Sequence, residues 1–76
     1  MPDIELDVRY RDPPEPMERA IEALERLGPG DTLRLLIHRE PHPLFPILRE
    51  SGFRYTIEQQ PDYTYVITIR QAEPAA

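Results

Sequence analysis

The spacing of the apolar residues changes repeatedly along this chain, and those changes predict its secondary structure. In the first segment Ile4, Leu6, Val8 and Tyr10 alternate with charged residues. A period of two with one polar face is typical of a half-buried strand. Helical spacing follows at Met17, Ala20, Ile21, Leu24 and Leu27. The sequence Gly28-Pro29-Gly30 should end that helix, because glycine accepts the left-handed cap conformation and proline cannot continue the helix.

The second half of the chain predicts a strand, a short helix and a hairpin. Residues 32–38 alternate like a strand that turns Leu33, Leu35 and Ile37 inward. The short helix ends near residues 51–52, and its apolar stripe consists of Leu44, Ile47 and Leu48. The hairpin turns around residues 60–62, and its inward residues are Phe53, Tyr55, Ile57, Tyr63, Tyr65, Ile67 and Ile69.

The element order is therefore β-α-β-α-β-β, and it predicts an α+β fold. Each strand has one apolar and one polar face, so we expect a two-layer α/β sandwich with both helices on one face of a four-stranded mixed sheet. The first two strands should be parallel. Residues 1–70 form a single domain, and residues 71–76 should be a frayed tail.

The face away from the helices is expected to be mostly polar. Leu36 and Val66 interrupt it. If they are neighbours, they form a small apolar spot for self-association; otherwise they are scattered surface residues. The polar members of this face are Glu5, Asp7, Arg34, Arg54, Thr56, Glu58, Thr64 and Thr68.

Composition excludes several classes of function. The chain has no cysteine, which removes thiolate nucleophiles and cysteine-ligated zinc. A net charge of −5 argues against a nucleic-acid partner. No segment approaches the roughly 18 apolar residues of a membrane span, and the first residues lack a signal-peptide pattern, so we expect a cytoplasmic protein. Without a phosphate-binding loop or a nucleophile elbow, we expect neither enzyme activity nor a cofactor.

The start of the first helix is unusually rich in proline. Pro13, Pro14 and Pro16 remove three N–H donors from the turn in which a helix would bind an anion. Asp12 and Glu15 add negative charge there. These two residues fit a capping box better than an anion site, with Pro13 at the first helical position.

Two loops follow the carboxyl ends of the predicted parallel strands and should meet at one edge of the sheet, where ligands often bind. The charged and aromatic residues of these loops are Arg9, Tyr10, Arg11, Asp12, His38, Arg39, Glu40 and His42. The alternatives are that the charges form an ordinary solvated loop end and that Tyr10 packs at the core or its rim instead of lining a pocket.

The histidine spacing suggests a metal only weakly. His38 and His42 are four residues apart with Glu40 between them, a spacing that can bind a metal on a helix. Pro41 and Pro43 preclude a regular helix here. A histidine packed at a strand end is the commoner outcome.

The proline-rich segment and the element order resemble the TusA/SirA-like superfamily of sulfur carriers. Those carriers have a Cys-Pro-x-Pro motif at the start of the first helix; here Pro14-Glu15-Pro16 matches its second half, and Pro13 stands in the cysteine position. The chain is more similar still to a cysteine-free branch of uncharacterised small bacterial domains, through that segment and Glu40-Pro41-His42-Pro43-Leu44. The resemblance implies the fold without the persulfide chemistry, because Pro13 has no nucleophile.

Sulfur carriers dock partner proteins through the end of the fold that holds their cysteine. The resemblance therefore implies a protein-interaction or regulatory module, with an unidentified protein partner and a monomeric or weakly dimeric chain. The alternative is a small-ligand or metal sensor that uses His38, Glu40 and His42. The candidate interaction residues are Arg9, Arg11, Asp12, Pro13, Glu15, His38, Arg39, Glu40 and His42.

Overall fold

The computed structural model describes residues 3–10, 12 and 15–72 of the chain. The described elements follow the order β-α-β-α-β-β, as the sequence predicted. They are β1 (Asp3–Asp7), α1 (Glu15–Arg26), β2 (Thr32–Ile37), α2 (Leu44–Glu50), β3 (Phe53–Gln59) and β4 (Tyr65–Gln71).

The four strands form one mixed sheet in the order β1-β2-β4-β3. β1 and β2 are parallel, while β4 runs antiparallel to both β2 and β3. The carboxyl ends of β1 and β2 therefore lie at the same end of the sheet. Because Tyr65 pairs with both Ile37 and Gln59, the loop between β3 and β4 also lies at that end.

Both helices cover one face of the sheet, and the core lies between the two layers. Complete burial of each large aliphatic side chain contributes about 1.5–3 kcal/mol. Ile57 faces the same way as its buried cross-strand partner Ile67, yet it is 39% exposed near the end of the edge strand β3. The two-layer α/β sandwich is confirmed. Its buried apolar residues are Val8, Ala20, Leu24, Leu27, Leu33, Leu35, Ile37, Leu44, Leu48, Ile67 and Ile69.

Local hydrogen bonds define both ends of α1. At its start, the Glu15 N–H donates to the backbone carbonyl of Asp12 at 3.0 Å. At its end, the Gly28 N–H donates to Oδ2 of Asp31 at 2.9 Å, and Gly30 takes a left-handed φ of 83°. The glycine-proline-glycine stop thus gains a side-chain acceptor from the residue that follows it.

β1 ends earlier than the alternation predicted. The carboxylate of Asp7 accepts the Arg9 N–H at 3.1 Å, which closes a local turn just after the strand. Tyr10 then takes a left-handed φ of 65° and is 73% exposed. The prediction that Tyr10 continues the inward face of the strand, with core packing, is wrong because the chain turns before it.

The hairpin turn is wider than predicted for a similar reason. Oδ1 of Asp62 accepts the N–H of Thr64 at 3.0 Å and its hydroxyl at 2.6 Å. Tyr63, between them, has a φ of 69° and is 76% exposed, so its assignment to the inward face of the strand is wrong. Thr64, predicted on the polar outer face, is only 3% exposed.

β4 extends to Gln71, one residue into the segment predicted to be frayed. The Gln71 side-chain amide donates to the Leu27 carbonyl at 2.8 Å, and the Ala72 N–H donates to the Gly52 carbonyl at 2.8 Å. These two bonds hold the strand end against the turns that follow the helices. Residues 73–76 lie outside the described residues. Among those that are described, no helix has the length and apolar character needed to cross a membrane.

Candidate functional site

Three loops meet at one end of the sheet, and we call this end the loop edge. Its described residues are 8–10 and 12 after β1, 38–43 after β2 and 60–64 between β3 and β4. The predicted edge contained only the first two. The third is brought there because β4 pairs directly with β2.

Tyr10 and His38 join the first two loops of the edge. The Tyr10 N–H donates to Nδ1 of His38 at 2.9 Å. The two rings stack with centroids 5.4 Å apart and planes 27° apart. Because Nδ1 accepts this hydrogen bond, neutral His38 must carry its own hydrogen on Nε2. The exposed tyrosine is therefore held by its backbone and by its ring.

Arg9 is fixed beside this pair by a two-pronged contact with Asp7. Its Nε donates to Oδ1 at 2.9 Å and one Nη to Oδ2 at 2.8 Å. The hydrogen bond and the charge of Asp7 raise the pKa of Arg9. In the third loop, hydrogen bonds from Thr64 lower the pKa of Asp62, with a smaller contribution from the charge of Arg9. Arg9 thus links the first loop electrostatically to the third.

His42 belongs to a different set of contacts from His38. Its Nε2 lies 3.0 Å from Oε2 of Glu40, and its ring meets the edge of Phe45 with centroids 6.1 Å apart. Phe45 in turn stacks on Tyr55 of β3 at 4.9 Å with nearly parallel planes. Throughout the described ranges, no three His, Asp or Glu side chains are grouped so that they could hold a metal ion.

The structure brings together only some of the residues predicted for the site. Tyr10 meets His38, and Glu40 meets His42, whereas Arg39 is exposed. Asp12 is exposed, and Glu15 lies along α1, where its carboxylate accepts from Arg19 at 3.4 Å. Arg11 and Pro13 lie outside the described residues. The capping box predicted for Asp12 and Glu15 spans Pro13 and Pro14, which lie outside the described residues.

Sequence reasoning missed the third loop as part of this edge. The spacing Asp62-x-Thr64 could have revealed it, since an aspartate commonly accepts the N–H two residues onward and stops a strand. The same loop borders a groove of about 450 Å³ on the sheet face away from the helices. Leu36 and Val66 line this groove as direct cross-strand partners, so the two residues are neighbours, as one of the two predictions for them required.

The architecture matches that of a solved SirA-like protein. Its crystal structure, from Desulfitobacterium hafniense, superposes with a TM-score of 0.76 over 96% of this chain and 100% of the other, at 24% sequence identity. This chain therefore has the SirA-like α+β fold, as its motifs suggested, and it has that fold without any cysteine.

Sequence comparison then places the chain in a family. The model of the uncharacterized conserved proteins called DUF2249 matches residues 5–71, and the chain belongs to that family. A comparison with the curated proteins finds no match.

Proposed function

We propose that this chain is a protein-interaction module that docks a partner protein through the loop edge, with Tyr10 at the centre of the contact. The observation that carries the proposal is the state of Tyr10: an aromatic side chain, 73% exposed, on a left-handed backbone that a histidine from another loop holds in place.

An exposed and pre-positioned tyrosine is well suited to protein recognition. Tyrosine is enriched among the residues that dominate binding energy at interfaces. Ordering a free side chain on binding costs about 0.5–1.5 kcal/mol, and the stack on His38 removes part of that cost beforehand. A non-glycine residue with positive φ is strained, and such strain is concentrated at functional sites.

Charged residues around Tyr10 would form the rim of the contact. Arg9 is held by Asp7, Arg39 is exposed, and Glu40 lies against His42. Exposed charges at a rim mainly set the rate of association and its dependence on salt. We therefore expect a contact with an apolar centre and a polar, salt-sensitive border.

We further propose that the module acts by binding and not by catalysis. His38 joins the first two loops of the edge, and its Nδ1 already accepts the Tyr10 N–H. That nitrogen cannot also remove a proton from a substrate while the bond persists. The contact between the two residues is thus better suited to holding a shape than to general-base chemistry.

The proposal is tested by affinity capture from the source cell with tagged wild-type protein and two variants. Tyr10→Ala removes the proposed central side chain. Ile21→Ala is the control, since Ile21 is an exposed large side chain of α1 and lies outside the loop edge. Amide NMR spectra establish that both variants keep the fold.

The readout is the ratio of each captured protein between variant and wild type, by quantitative mass spectrometry. Loss of a hot-spot residue of about 2 kcal/mol lowers affinity roughly 30-fold, so at least one specific partner should be lost from Tyr10→Ala and kept by Ile21→Ala. Identical captured sets for wild type and a folded Tyr10→Ala variant would refute the proposal.

A further inference from the structure

The sheet face away from the helices carries a second feature, at the end opposite to the loop edge. Two cross-strand rows lie side by side on it: Thr32, Arg70 and Arg54 in one row, and Arg34, Thr68 and Thr56 in the next. Directly paired residues share a face of the sheet, so these six side chains form one surface. We call it the Arg/Thr patch.

The charges of the Arg/Thr patch are unusual for this chain. It concentrates three arginines on one face of a protein whose net charge is −5. Arg54 stands directly opposite Arg70, and like charges in that position destabilise a sheet. Arg34 has a carboxylate partner, Glu5, at 3.7 Å.

Arg54 and Arg70 themselves make no ion pair and no side-chain hydrogen bond within residues 3–10, 12 and 15–72. Both side chains are exposed. Their guanidinium groups therefore present donors and positive charge to the solvent, although the two rows continue on β1 with the carboxylates Asp3 and Glu5. No carboxylate of the described sheet forms an ion pair with Arg54 or Arg70.

A shallow depression of about 280 Å³ lies between these two arginines, and Thr56 and Thr68 also line it. Thr56 and Thr68 are direct cross-strand partners, so their side chains lie beside each other. The depression thus combines two guanidinium forks with two hydroxyl donors. Guanidinium forks match the oxygen spacing of phosphate and carboxylate groups and bind them with two parallel bonds.

We infer that the Arg/Thr patch binds a doubly charged oxyanion of the phosphate class, with Arg54 and Arg70 as its forks and Thr56 and Thr68 as hydroxyl donors. A phosphate monoester carries about −1.5 to −2 charges at pH 7, which matches the two unpaired guanidinium groups. Binding removes the repulsion between Arg54 and Arg70. The inference does not depend on the loop edge, because the two surfaces share no residue.

The test is an amide NMR titration of the whole chain with inorganic phosphate and, separately, with O-phosphoserine. Sodium chloride at matched ionic strength is the reference for general screening. We expect saturable shifts at residues 54–56 and 68–70 with both phosphate compounds and not with chloride. Tighter binding of O-phosphoserine would identify a phosphate group on a larger molecule, whereas equal binding would identify the free ion, and both results support the site.

Three variants complete the test. Arg54→Gln and Arg70→Gln should each weaken binding at least 10-fold, while Arg26→Gln, which removes the same charge from the end of α1, should leave it unchanged. Because repulsion is relieved, neither patch variant should unfold more easily than wild type at low salt. Shifts that stay linear, that chloride reproduces or that persist in both patch variants would overturn the inference.

Discussion

The contact between Tyr10 and His38 makes a quantitative prediction about how the loop edge is held. His38→Ala removes both the acceptor for the Tyr10 N–H and the stacked ring. A typical hydrogen bond contributes about 0.5–1.5 kcal/mol and an aromatic pair about 0.5–1.5 kcal/mol. We therefore expect His38→Ala to lower the free energy of unfolding by about 1–3 kcal/mol. Because water can reach the exposed Tyr10, the lower half of that range is expected.

His38→Phe separates the two contributions, since it keeps a ring to stack on Tyr10 and removes the acceptor nitrogen. We expect His38→Phe to lower the free energy of unfolding by about half as much as His38→Ala does. Tyr10→Ala does the converse: it removes the ring but keeps the backbone donor, so a double-mutant cycle with His38→Ala measures the stacking contribution alone.

The assay is urea unfolding monitored by circular dichroism, with the Tyr10 amide followed by hydrogen exchange. Faster exchange of the Tyr10 amide in both His38 variants is expected, because both lack the acceptor. The reasoning would be refuted if His38→Ala kept the wild-type urea midpoint and the wild-type exchange rate of the Tyr10 amide. The contact would then contribute nothing to the stability of the loop edge.

Three further predictions follow from other parts of the structure. Leu48→Ala in the short helix α2 should cost about 2–5 kcal/mol in urea unfolding, because Leu48 is fully buried; the exposed Arg49→Ala is the control. The pKa of Asp62 is lowered from its usual value of 3.8 in the folded state, so its contribution to stability is present above that value and is lost as pH falls through the lower folded value. In Asp62→Asn the free energy of unfolding should therefore fall less steeply as pH decreases below about 4. The same pH dependence as in the wild type would contradict this. Stoichiometric Zn²⁺ should not shift both histidine rings in NMR, since His38 and His42 have separate partners; joint shifts would contradict the geometry.

The hydrophobic pattern predicted most of the fold because the same residues that set the period also fill the core. Leu33 and Leu35 alternate in the sequence and are completely buried in β2, while Ala20 and Leu24 recur at helical spacing and are buried under α1. The parallel pairing of the first two strands followed from the helix that connects them. Each of these features is repeated over several residues, so one irregular position does not change the prediction.

The two exposed tyrosines were misassigned because one local bond overrides an extended pattern. At both places the alternation of apolar residues continues into the turn, so periodicity alone predicts a longer strand. At both places an aspartate accepts the N–H two residues onward: Asp7 from Arg9, and Asp62 from Thr64. Each of these bonds closes a local turn that ends the extended backbone, and a tyrosine with positive φ follows or lies between the bonded residues.

This mechanism also explains why the candidate site could be located but not assembled from the sequence. Loops after parallel strands must meet at one edge, so the position of His38 near the β1–α1 loop was predictable. The orientation of Tyr10 was not, because it depends on Asp7 ending the strand and on Nδ1 of His38 accepting the displaced backbone N–H. The chain contains no cysteine that could carry a persulfide. The surface that a partner would meet is instead set by short-range bonds of aspartate and histidine, and these should be the first positions to alter when a partner is sought.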